Sequence, residues 1–545
     1  MKAHKLEITM SNFEEFSDLE RSILSRYFTN LDEPVFALVN LPEVVKGALF
    51  ARYSRSSKSL RRLFLDEFVG DLDVTGDVSI DATMGLERAE KLYEKVFFEY
   101  GDDSVAQLGG VHLACEGASN LLTKLLERGR LMSYLEQSTR YIAYNERLLS
   151  GHYRYYRCPS ILDSPYGARY IGTMDRLFDC YSELLTKLTQ HLTKSLTKPK
   201  GSSDFAFRQA IRAKALDSLR GLLPAASLSN VGIYGTGQAF EMLILRMRAS
   251  ELVEAREYAE SMLVELRKVI PSFLSRIDRE DRGLEWVKYY KERNLGESLA
   301  AESINEIKSS VSISSDQANV KLLKFDEDGE TNVLAQGMFK HLDLSLSDIK
   351  TLIKDLTYEE KRLIMRDIVG DRKNRRHRPS RSFEATSYDF EIISDYGAFR
   401  DLQRHRMLNL EWQTLNCNLG YDIPDLVEEA QLSDAYIQSM ERSKELYIEL
   451  KDEFLIEAPY VLPLGFKIRY LMSMNAREAM HIIELRSQVQ GHASYRKIAQ
   501  EMHRQIAQVA GHHLIAEAMS FVQFLDPDLE RLDSENRNQR RKLQA

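Results

Sequence analysis

With 545 residues the chain is too long for one ordinary hydrophobic core, and two to four domains are expected. Its 43% hydrophobic and 29% charged composition is globular, no run approaches the roughly 18 apolar residues of a membrane span, and Met1-Lys2-Ala3-His4 opens no apolar leader, so a cytoplasmic protein is expected. A net charge of −8 gives nucleic acid no general attraction, and the four scattered cysteines, Cys115, Cys158, Cys180 and Cys417, show neither a CxxC nor a Cys/His ligand spacing, which leaves no disulfide framework and no metal site.

In chain order, Val111–Cys115 reads as a strand and Ser119–Glu127 as a helix with apolar residues three and four apart. A polar run from Arg128 to Tyr141 follows, in which Gly129 is placed to end the helix with a positive φ. Gly235-Thr236-Gly237 is a tight turn into the helix Ala239–Leu245; with Phe240 in place of a third glycine it is not a dinucleotide fingerprint. After the helix Leu252–Val269, the serine-rich Ser303–Gln317 marks a boundary, and Val320–Phe325 with the turn Asp326–Gly329 opens a second unit. The basic run Arg372–Arg378 reads as a solvated or phosphate-facing loop ahead of the strand Tyr388–Ile393. The helical Phe399–Gln403 leads into Arg404-His405-Arg406, helices span Asn475–Glu484 and Ser494–Ala510, and Arg537–Lys542 is expected to be a frayed, solvated tail.

Both halves thus read strand, helix, polar signature. Downstream, Leu223-Pro224 precedes Leu245-Arg246 and Leu462-Pro463 precedes Leu485-Arg486, at Pro-to-Arg intervals of 246−224=22 and 486−463=23. Matched intervals predict a tandem duplication: repeat one over 1–290, a linker over 291–317 and repeat two over 318–545, each an α+β unit with a β-sheet and a large helical part. Guanidinium forks at Arg404 and Arg406 suit phosphate or carboxylate, Ser138 and Arg140 can bind a phosphate jointly, and Arg477 and His481, four apart, share a helix face. Ser138 has no evident base, which favours binding over covalent catalysis.

These elements, in this order, resemble the flavin-dependent thymidylate synthases, whose signature runs RHRxxSxNExSxRY. The first half matches it at Arg128, Arg130, Ser133, Glu136, Ser138, Arg140 and Tyr141 and departs at Gly129 and Leu135. Upstream, Gly101–Ser104 and Glu116–Ser119 are similar to family segments, with Asp102 where His is usual and Asn120 where Arg is usual. The second half keeps Arg404-His405-Arg406, Asn475-Ala476-Arg477, His481 and Leu485-Arg486, but has Thr414-Leu415-Asn416 for Ser-x-Arg and Pro459 where the first half has Arg220.

The resemblance implies FAD held by Arg404, His405, Arg406, Asn475, Arg477, His481 and Ser104, and dUMP held by Arg128, Arg130, Glu136, Ser138, Arg140 and Arg220. Arg486 or Arg246 would stabilise charge on the uracil, NADPH would deliver hydride, and methylenetetrahydrofolate would supply the carbon for dTMP. Because one half keeps the flavin set and the other most of the nucleotide set, hybrid sites are implied, with a homodimer serving as a pseudo-tetramer. The alternatives are a non-catalytic FAD- or nucleotide-binding scaffold and a flavoenzyme acting on another pyrimidine nucleotide.

Overall fold

The computed structural model describes residues 15–32, 36–53, 58–67, 107–308, 318–525 and 527–544. The first half runs β1 (Gly110–Ser119), α1 (Asn120–Leu126), β2 (Met132–Glu136), α2 (Gly167–Ser195), α3 (Asp204–Leu219), β3 (Leu228–Thr236), α4 (Gly237–Arg248), α5 (Val253–Arg267) and α6 (Gly283–Lys308). The second runs β4 (Val320–Phe325), β5 (Ser387–Asp395), α7 (Tyr396–Gln403), β6 (Asn409–Trp412), α8 (Ser433–Leu450), β7 (Lys467–Asn475), α9 (Ala476–Arg486), α10 (Ala493–Gln508) and α11 (Leu532–Gln544). Sheet orders are β1-β3-β2 and β4-β5-β7-β6, so strand, helix, strand, helices, strand, helix recurs in both halves with the same strand order inside each sheet. The mixed α+β architecture matches the expectation from sequence.

The described residues fall into two compact units that do not follow the two halves. One holds Met1–Cys115, Leu131–Leu135 and Gly232–Val311; the other holds Glu116–Arg130, Glu136–Val231 and Ser312–Ala545. The expected linker is helical where it is described, since α6 continues to Lys308. Within the first unit, Thr236 caps α4 by accepting from the Ala239 N–H at 3.3 Å, and Gly237 is required by space: a Cβ there would meet Phe273 Cβ at 2.7 Å. The glycines of Gly235-Thr236-Gly237 serve close packing.

The second unit is built on antiparallel pairing of β5 with β4 and β7, in register from Ser387 opposite Asn475 to Asp395 opposite Lys467, and of β7 with β6. Alternation along β5 buries Tyr388, Phe390 and Ile392, and along β7 Ile468, Tyr470 and Met472. Helices α7 and α10 cover this face, contributing Phe399, Ile498 and Met502. The same unit contains a main-chain seam between the two Leu-Pro segments. Ala225 N–H donates to Leu462 O at 2.8 Å and Leu464 N–H to Leu223 O at 2.8 Å, flanked by Ala226 to Tyr460 at 3.0 Å and Gly465 to Gly221 at 2.9 Å. Pro224 and Pro463 stand opposite each other as an antiparallel bridge, which costs no donor because neither ring nitrogen carries a hydrogen.

Two further expectations are corrected. Arg537–Lys542 lies within α11, whose first residue, Leu532, is buried against Ala206 and Ala210 of α3, while Asn536 donates to Ser202 at 3.0 Å. A polar helix with one apolar anchor carries little periodicity and so resembles a tail in sequence. Gly129 is absent from the positive-φ glycines among the described residues; α1 ends on Glu127, so the glycine is no left-handed cap.

Candidate functional site

The side chains that build the site all belong to the second unit. Helix α7 stops at Gln403, Arg404 is its C-cap, and the chain then turns, burying His405 and exposing Arg406. His405 lies between two partners: its Nε2 accepts from Arg486 Nε at 2.9 Å and its Nδ1 lies 3.3 Å from Glu478 Oε1. Because arginine only donates, Nε2 must bear the lone pair and Nδ1 the hydrogen that points at Glu478. Burial holds the imidazole well below its usual pKa, reinforced by Arg486, His481 and Arg404, so it is neutral.

Burial also raises the Glu478 carboxyl to about 7, against the pull of Arg378, Arg477 and Arg406. His481, 3.1 Å from Arg378 through its Nδ1, is lowered to about 4 by burial and by Arg378, Arg375 and Arg486. His405, Glu478 and His481 offer ligand atoms within 4.8 Å of one another. The donor set does not fit a divalent cation: the His405 lone pair is taken by Arg486, and arginines surround the rest. Arg375, Arg378, Arg406 and Arg477 around His481 suit an anionic group instead.

A second cluster adjoins this one. Asp401 on α7 accepts from Arg220 Nη1 at 2.9 Å and from Arg404, while Arg400 binds Glu136 at 2.5 Å. Burial would raise the Asp401 carboxyl, but Arg404, Arg220, Arg486 and Arg140 hold it well below the carboxylate range. Glu136 is likewise opposed by burial and brought down to about 2 by Arg400, Lys124 and Arg404. Arg140 clasps Asp217 through two bonds of 2.8 and 2.7 Å and also reaches Tyr495 Oη at 2.8 Å. Ser138 Oγ accepts from the Arg140 N–H at 3.3 Å. Beside this cluster opens a groove of about 970 Å³ lined by Asp217, Arg220, Asp395, Tyr436, His492 and Ser494 among others.

Of the residues singled out from sequence, Arg140, Glu136, Ser138, Arg220, Arg404, His405 and Arg486 are brought together here. Asn475 caps α9 by accepting from the Glu478 N–H at 2.9 Å, which fixes the turn that presents Arg477 and His481. Arg477 donates to Pro379 O at 3.0 Å. Arg128 and Arg130 lie apart, against the edge strand β6, Arg128 pairing with Glu411 at 3.0 Å and Arg130 bonding Asn409. Arg246 lies in the last turn of α4 in the first unit, and Ser104 lies outside the described residues.

Sequence reasoning did not single out Asp401, Glu478, Asp217, Arg400 or Tyr495. Two signals were available: Asp401 stands three before Arg404 on one helix, and Glu478 stands three before His481 on another. The basic run is not a solvated loop throughout. Arg372 forms a buried two-point pair with Glu484 at 2.7 and 2.5 Å, and Arg378 reaches His481.

The model of the thymidylate synthase complementing protein family, Thy1, matches residues 48–272 and 333–511. A UPF0159 protein of Chlamydia muridarum is 39% identical over 528 residues, covering 96% of this chain and 98% of that protein. The UPF0159 protein Ta1429 of Thermoplasma acidophilum is 31% identical over 521 residues, covering 90% and 98%. Among solved structures, a UMP/dUMP methylase PolB from Streptomyces cacaoi bound with 5-Br dUMP is similar at 18% identity and a TM-score of 0.31, over 38% of this chain and 96% of that one. With its two matched segments and relatives aligned over nearly their whole length, the chain belongs to the thymidylate synthase complementing protein family.

Proposed function

We propose that the protein methylates dUMP reductively to dTMP at a site assembled from both halves of a duplicated chain, with FAD as cofactor and NADPH and methylenetetrahydrofolate as co-substrates. The observation that carries this reading is the convergence, in one unit, of Glu136, Ser138, Arg140 and Arg220 from the first half with Arg400, Arg404, His405 and Arg486 from the second. Each half lacks groups that the other supplies. The shared order of elements, the shared strand order and the Leu-Pro seam support duplication.

The arginines around His481 fit the diphosphate of FAD, with Arg406, Arg477 and His481 as holders and Asn475 fixing the helix start. Bound flavin supplies the hydride transfer chemistry. Arg486, positioned by the neutral His405 and lying 5.4 Å from the Tyr495 ring, is the group to stabilise negative charge developing on the pyrimidine. Arg140, Arg220 and Ser138 orient the nucleotide. A homodimer would complete the pseudo-tetramer.

The test is a visible absorption spectrum of the purified protein with and without added FAD and dUMP, followed by an assay for dTMP. Paired flavin bands that change with dUMP, together with dTMP formation, are expected, and Arg477→Ala should weaken FAD binding at least about tenfold. No flavin binding at saturating FAD would overturn the reading. One observation favours a second reading, a flavin- or nucleotide-binding protein without turnover: Arg140, Arg220, Arg400 and Arg404 already hold internal carboxylates. Flavin binding without dTMP formation would select it.

A further inference from the structure

The internal pairing of those arginines is shared throughout. Arg140 clasps Asp217 through two bonds and shares it with the buried Arg531 at 3.2 Å, and Arg400 shares Glu136 with Lys124. Arg220 and Arg404 share the carboxylate of Asp401. A second acid, Asp395, offsets charge on Arg220 from 3.7 Å, beyond hydrogen-bond reach, while its oxygens accept from the Ala398 N–H at 2.8 Å and from Ser494. Asp401 thus serves two guanidiniums with two oxygens, where Arg220 is 4% and Asp401 8% exposed and the Arg404 side chain 33%.

The hydrogen bonds are less complete than the ion pairs. Arg220 Nε and Nη2, Arg400 Nε and Arg404 Nε are buried donors that find no acceptor among the described residues. All three arginines line one cavity with Asp401, Glu136 and Arg140, and its volume of about 20 Å³ has room for a water but not for a five-atom phosphate group. Gly397 permits this arrangement: a Cβ there would stand 3.1 Å from Arg220 Nε.

From these residues we infer that Asp401 is a built-in stand-in for a phosphate-class anion, occupying the socket of Arg220 and Arg404, so that a phosphate-bearing ligand enters this socket only by exchange with Asp401. A phosphate monoester carries close to two negative charges and three acceptor oxygens, which would pair with both guanidiniums and satisfy donors that one carboxylate leaves unmatched. Opposing entry is the need to move a buried carboxylate off two arginines. Asp401 therefore sets the discrimination between phosphorylated and unphosphorylated ligands. The inference rests on the proposed nucleotide site only for which phosphate ester enters; the exchange itself concerns this chain's own groups.

The experiment uses inorganic phosphate as probe, so that it is independent of flavin binding and of turnover. Wild-type protein and Asp401→Asn, both purified with phosphate present and then dialysed free of it, are compared by thermal unfolding and by equilibrium dialysis against labelled phosphate. The variant should melt below the wild type without phosphate, regain stability with millimolar phosphate but not with chloride at equal ionic strength, and bind phosphate at least tenfold more tightly than the wild type. Equal phosphate affinity in the two proteins, or no phosphate-specific recovery of the variant, overturns the inference. Should the variant fail to fold at all, saturable one-to-one uptake of phosphate by the wild type with no change at Asp401, read from the carboxyl resonance in the selectively labelled protein, also overturns it, whereas uptake accompanied by release of Asp401 supports it.

Discussion

Glu478 holds its proton near neutral pH because it is buried beside a neutral imidazole that offers it only one hydrogen bond. Its carboxyl is raised from 4.5 to about 7, so between those values the folded protein keeps a proton that the unfolded chain has released. The sign follows: Glu478 favours folding below pH 4.5, and that contribution is lost as the pH rises through 7. Glu478→Gln cannot titrate. Its stability relative to wild type should increase on going from pH 4.5 to pH 8 by an amount on the order of 2–3 kcal/mol, measured by urea unfolding at a series of pH values. A difference that stays constant with pH would mean that Glu478 titrates as an ordinary surface acid. At this scale the sequence displayed residue types but not their partners. Arg404, His405 and Arg486 were legible as chemistry, whereas the sharing of Asp401 by Arg220 and Arg404 joins positions 181 residues apart and three apart, and only folding makes it one contact.

At the scale of elements, the loop that begins at Arg372 is tied to α9 rather than free in solvent. The Arg372 and Glu484 side chains are 4% and 1% exposed and meet through two bonds, with Arg372 also donating to Ala518 O at 3.0 Å. Removing one member of such a pair leaves a buried charge uncompensated, so Arg372→Ala should cost about 3–5 kcal/mol in chemical unfolding. A loss below about 1 kcal/mol would return this segment to the status of a solvated loop. Helix α11 presents the opposite balance, a polar helix anchored by Leu532 and a few hydrogen bonds. Truncation after Arg531 should lower stability by only about 1–2 kcal/mol while leaving the rest folded, checked by circular dichroism and thermal unfolding. The strands β1, β4 and β5 and helices α4, α5, α9 and α10 were legible because each carries its own apolar period. The pinned loop and α11 were not, since what orders them is a contact far away in sequence.

For the whole molecule, the order strand, helix, signature could be read in each half, but the compact units could not, because they are assembled from alternating stretches of chain. Residues 116–130 and 136–231 belong with the second half, to which they contribute Glu136, Arg140, Asp217 and Arg220. A chain opened within 309–317 should therefore give two fragments that copurify when expressed together, while the fragment from 318 onward alone should be poorly folded, with its arginines and its sheet's helical cover left without their first-half partners. Two fragments that each fold and migrate independently would contradict this.

The seam at Leu223-Pro224 and Leu462-Pro463 is made of backbone atoms, and so it depends little on the side chains carried there except at Gly221 and Gly465, where a Cβ would meet Tyr436 Oη at 2.7 and 3.0 Å. Its four bonds constrain length: one inserted or deleted residue on either side would put every donor out of phase with its acceptor. Away from those two glycines such a seam is consequently lenient towards residue type and strict in spacing.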